Sequence, residues 1–150
     1  MENTAARPID RASLLEREHE AWANWWSHVA DVDPAASRSD EWSMKDVISH
    51  IAAWQRYSTG RLAAIGRDQP DPGPPPVIDD FNDHAREEAR DRSWQDVRSD
   101  AERVHDTFVE MIESLSQEAL TREDGLAAFV ITVNGVEHYE EHLLDDFTMR

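Results

Sequence analysis

The chain has 150 residues, 32 acidic against 15 basic side chains, a formal net charge of −17 and no cysteine. A field of that sign repels phosphate backbones and anionic lipid, which argues against general nucleic-acid binding and a membrane-surface role. The missing thiols exclude disulfide frameworks, thiolate zinc sites and cysteine nucleophiles, so any metal is left to His, Asp or Glu.

Six tryptophans and a hydrophobic fraction of 39% argue against acidic disorder, which goes with few aromatics. The length fits one domain spanning residues 1–150, with a single core over about residues 10–148. The N-terminus, MENTAARPIDRASLL, lacks the basic start and apolar run of a signal peptide. No stretch approaches the roughly 20 apolar residues needed to span a bilayer. The cytoplasm is therefore the default location.

Apolar residues recur at three- and four-residue intervals over four long stretches, which predicts an all-α fold. The first helix is predicted to start at Asp10, with Ile9 as a staple, to carry Leu14, Leu15, Trp22, Trp25, Trp26 and Val29, and to end near Asp31, before Pro34. The second begins at Ser43, where Ser43-Met-Lys-Asp46 has capping-box spacing, and runs to Gly66, a C-terminal stop. Residues 68–76, DQPDPGPPP, forbid helix and read as a proline-rich crossover between the second and third helices of the bundle. A short helical piece over about Asp80 to Asp91 leads to the cap Ser93-Trp-Gln-Asp96 and a third long helix with Val97, Ala101, Val104, Phe108, Met111 and Leu115. A fourth covers about Ala128 to Thr148. Four long helices and one longer connection indicate a four-helix bundle.

The last helix carries VEHYEEHLLDDF, with His138 and His142 four residues apart. That spacing projects two imidazoles from one helix face, close enough to share a cation. Alone it is weak, since seven scattered histidines give about 0.3 such pairs by chance. The helical wheel adds to it: from Asn134 onward Glu137, Glu140 and Glu141 share one arc, while Val136, His138, Tyr139 and His142 share the other. Phe129, Val130 and Val133 do not fit this partition. His50 lies one turn from Val47 and Trp54 on the second helix and supplies a third imidazole, a set that suits zinc, nickel, copper or iron rather than magnesium or calcium. Glu137, Glu141, Asp46 and Asp145 are candidates to orient the imidazoles, although each also reads as a solvated surface charge. Trp54 and Tyr57 share the His50 side and are candidate pocket walls. The remaining histidines, His19, His28, His84 and His105, match no motif and read as structural.

EWSMKDVISHIAAW, residues 41–54, followed by NGVEHYEEHL, residues 134–143, resembles the DinB-like four-helix bundles, most closely their ClbS/DfsB branch. That branch typically reads W-S-x-K-D-x-x-x-H-x-x-x-W and E-H-Y-x-E-H-L in these helices. The resemblance extends from about Asp10 to Phe147. The chain departs from the branch between Leu120 and Val133, where a tryptophan- and glycine-rich loop is shortened to TREDGLAAF.

The resemblance implies a divalent-metal triad of His50, His138 and His142, with zinc or nickel as the ion. It also implies a choice of chemistries on a small electrophilic molecule. One is metal-dependent hydrolysis, as in relatives that protect cells from DNA-damaging natural products. Another is transfer or isomerisation that uses a low-molecular-weight thiol, which this cysteine-free chain would take from solution. A protein that sequesters a small hydrophobic ligand without chemistry, and a purely structural or partner-binding bundle, remain alternatives to an enzyme. Bundles of this type also form homodimers through an outer helix face.

Overall fold

A computed structural model describes residues 10–30, 32–33, 42–71 and 73–147, with side chains as far as His142. The described residues form six helical segments and no strand: α1 (Arg11–Val29), α2 (Met44–Gly66), α3 (Ile78–Arg90), α4 (Trp94–Ser114), α5 (Gln117–Asn134) and α6 (Val136–Phe147). The all-helical reading holds. Ile9, Asp31 and Pro34, which bear on the predicted limits of the first helix, lie outside the described residues.

Local chemistry sets the helix starts. The Asp10 carboxylate accepts from the Ala12 amide at 3.2 Å. Ser43 and Asp46 complete a reciprocal capping box at 3.1 and 3.0 Å. Ser93 and Ser116 each accept from the amide three residues on, at 3.0 Å. Each cap satisfies an amide that the helix leaves without a partner, worth about 1 kcal/mol. Between Gly66 and Ile78 the described residues form no helix.

The predicted fourth helix differs from what its periodicity suggests. Helix already forms over 117–121, then Glu123, Asp124 and Gly125 take left-handed φ values of 50, 57 and 84°. Arg122 spans this turn by donating to the Ile65 carbonyl at the end of α2. That places a cation where the α2 dipole is negative. The helix then runs to Asn134 and breaks again at Gly135 (φ −118°, ψ −102°) before α6 begins. Gly135 is required by close approach: a Cβ there would overlap Glu18 Oε1 and sit 2.8 Å from the Ile131 carbonyl oxygen. The break resets the helical phase, which is why Phe129, Val130 and Val133 do not share the α6 partition.

The buried apolar side chains form two clusters. One gathers Leu14, Leu62, Ile65, Phe108, Ile112 and residues of α5. The other gathers Trp25, Val29, Val47, Ile48, Ile51, Val104 and Tyr139. Helices α1, α2 and α4 pass through both. At the height between them, each contributes a buried polar residue: Glu18, Gln55 and His105.

Candidate metal centre

Helix α2 presents His50 and α6 presents His138 and His142 to a common point. His50 Nε2 lies 2.8 Å from His138 Nε2 and 3.2 Å from His142 Nε2. The three ligand atoms all fall within 4.8 Å of one another. A tetrahedral ion with Zn–N bonds of about 2.0–2.1 Å sets its ligand atoms about 3.3 Å apart, close to the two separations at His50.

The proton inventory favours the same use. Trp54 Nε1–H can only donate, and it donates to Asn82 Oδ1 at 2.8 Å. The same oxygen faces His50 Nδ1 at 2.9 Å. His50 therefore carries its proton on Nδ1, and its Nε2 offers a bare lone pair to the common point. One lone pair facing two further imidazoles is a poor hydrogen-bond centre, whereas a cation takes all three nitrogens at once.

Burial, and secondarily the proximity of His50, push the His138 imidazole down from 6.5 to about 3. It is neutral at physiological pH and keeps a lone pair for a metal. Its Nδ1 is buried and has no hydrogen-bond partner among the described residues.

The cluster forms the floor of a cleft of about 600 Å³ between α2, α3, α5 and α6, within the size range of small-molecule sites. Trp42 and Trp54 wall it, with Trp42 edge-on to His50 at 5.1 Å.

A family model for the DinB superfamily matches residues 9–143. The chain belongs to the DinB superfamily. Neither a curated protein nor a solved structure matches it. The superfamily includes metal-binding members, and the three histidines of this DinB chain can hold a metal ion.

The remaining site predictions divide. Glu137, Glu140 and Glu141 are exposed while His142 and Tyr139 are buried, as the wheel predicts. Glu141 lines the cleft, whereas Glu137 does not. Asp46 is engaged elsewhere: it caps α2 and pairs with Arg86 Nε at 3.5 Å. The side chain of Asp145 lies outside the described residues. Trp54 is a wall, but Tyr57 does not line the cleft; it backs the wall through Trp54 and Phe81, with ring centroids at 5.8 and 6.0 Å. The group that orients His50 is Asn82, an amide on the short α3 helix. No spacing signal links it to the histidine motifs, and a search restricted to carboxylates passes over it.

A second polar cluster aims α6. Glu18 is fully buried, and its Oε2 accepts from His105 Nε2 at 2.9 Å and from the Tyr139 hydroxyl. Gln55 in turn donates to the Tyr139 oxygen. Trp22 stacks on His105 at 3.9 Å and closes the cluster. Burial and the neighbouring Glu18 charge hold the Tyr139 hydroxyl well above its ordinary range, so it keeps the proton it donates. Tyr139 adjoins His138 in sequence and shares the inward arc of α6, about 100° round the helix from it. Fixing Tyr139 therefore fixes the rotation that turns His138 and His142 toward His50.

Proposed function

We propose that this DinB chain is a metal-dependent hydrolase of a small electrophilic molecule, closest to the ClbS/DfsB branch. Its role in this reading is detoxification of, or self-resistance to, a DNA-damaging natural product in the cytoplasm. The observation that carries the reading is the convergence of three imidazole Nε2 atoms on the floor of an aromatic-walled cleft. His50, His138 and His142 would hold zinc or nickel. Such an ion, when bound, supplies Lewis acidity that brings the pKa of water to about 7. Asn82 holds the His50 tautomer, the low proton affinity of His138 keeps that ligand free at neutral pH, and Trp42 and Trp54 give the substrate an apolar face.

Metal analysis of the purified protein tests the reading. About one equivalent of zinc or nickel should be bound or taken up, and failure to take up either ion overturns it. The metal-loaded protein should then convert styrene oxide, a strained electrophile, to its diol. A thioether formed only in the presence of glutathione would assign the thiol-dependent transferase chemistry instead. Binding without turnover of any electrophile would leave a sequestering protein.

A further inference from the structure

The cleft is chemically uneven along its length. Its floor is the histidine cluster, and its lining includes one cation among the described residues, Arg61. His50, Trp54 and Arg61 stand at i, i+4 and i+11 on α2, within about 40° of one another around the helix. Arg61 is thus three turns from His50, about 16 Å along the same stripe. Its present partner is Asp71, at 3.3 and 3.4 Å, with side-chain exposures of 23% for Arg61 and 43% for Asp71. A loose, wet pair of this kind contributes little and yields to a competing anion.

The rim points the same way. The exposed large apolar side chains among the described residues are Val77, Ile78 and Phe129, each about two-thirds exposed, and Ile78 and Phe129 line this cleft. In a chain of net charge −17, a lone guanidinium beside uncovered apolar groups is suited to an amphipathic ligand. The other charged lining residue, Glu141, lies on α6 beside the histidines and disfavours an anion at that end.

We propose that the cleft takes an elongated, largely apolar small molecule whose anionic group, a carboxylate or its equivalent, is held by Arg61 at the end remote from the histidines. This deepens the hydrolase reading by naming its substrate class: a reactive group at the histidine floor, an aromatic or aliphatic body along Trp54 and Phe129, and a negative tail.

The test uses the metal-free full chain with two fluorescent probes, 11-(dansylamino)undecanoic acid and its uncharged methyl ester. The acid should bind more tightly than the ester. Arg61→Met should weaken the acid by about tenfold, as expected for loss of a charge-assisted hydrogen bond, and leave the ester within about twofold. Asp71→Asn, which frees Arg61 and does not depend on the first variant folding, should tighten the acid alone. Equal affinity for acid and ester in the parent chain, or insensitivity of both to Arg61→Met and Asp71→Asn, overturns the proposal. So does a concentration-dependent dimer that Phe129→Ser dissociates, since a second copy would then cover the rim. Zinc uptake, followed separately in the same variants, is independent of Arg61. Loss of the metal reading and loss of the ligand class are therefore distinguishable.

Discussion

The chain holds two buried polar clusters of opposite character, each containing histidine. Around Glu18, a carboxylate, an imidazole, a phenol and an amide close on one another with none more than 4% exposed, and Trp22 seals the face. Around His50, three imidazoles point their Nε2 atoms at one another on the floor of an open cleft, and the fixed donor–acceptor pairs lie behind them at Asn82. The first cluster pairs its donors with the Glu18 and Tyr139 oxygens, and Glu18 Oε1 is left without a partner among the described residues. The second presents like groups to like groups and gains complementarity only from a cation. Burial of polar residues is common to both, so burial alone does not distinguish a strut from a socket; the sign of the groups facing one another does.

If the Glu18 cluster is a strut, its loss is felt in folding. Glu18→Ala removes the acceptor of two buried donors and should destabilise the chain by about 3–5 kcal/mol, measured by urea unfolding. A loss below about 1 kcal/mol would mean that α6 does not depend on the strut.

If the His50 cluster is a socket, its loss is felt in binding. His142→Ala should lower zinc affinity by more than about a hundredfold, above the usual effect of an outer partner, while the helical circular dichroism persists. Retained affinity would place the ion elsewhere.

Acid sharpens the contrast further. His138 has a folded pKa of about 3 against 6.5 unfolded, so between those values the unfolded chain binds the extra proton. The stability this group contributes is complete above pH 6.5 and is lost as pH falls toward 3. For metal-free protein it should drop by about 2 kcal/mol between pH 7 and 5. The drop is read as the difference between the parent chain and His138→Asn, and parallel pH profiles for the two would contradict it.

The smallest effect is expected at Asn82. Asn82→Ala frees the His50 tautomer and should weaken zinc binding by about tenfold with the bundle intact. An unchanged zinc titration would remove Asn82 from the site.

Much of the fold was legible because its signals are local. Capping residues at Asp10, Ser43 and Ser93 and the apolar periodicity of α1, α2 and α4 each act within a few residues of where they are read, whereas α2 ends at Gly66 without a left-handed glycine, the positive φ falling on Asp68 (55°). The two histidine motifs were legible for the same reason, one turn of helix apart on α6 and beside Trp54 on α2. The rest arises between elements. Gly135 looks like a weak helix former within a helix until Glu18 arrives from α1 to occupy the space a Cβ would take. Asn82 resembles any surface amide on a polar helix until α3 packs on α2. His105, which as a sequence feature only flanks a stripe, proves to be a buried partner of a carboxylate 87 positions away.

Gly135 also bears on where the site is encoded. Because the helix is interrupted there, α6 does not inherit its direction from α5, and the contact that sets it joins residues 121 positions apart. The two imidazoles of the EHYEEH motif are thus written on α6 and aimed from α1. A fragment beginning after α1 would retain His50, His138 and His142 and lose their alignment. The first helix, which contributes no ligand, belongs to the site as much as the helices that do.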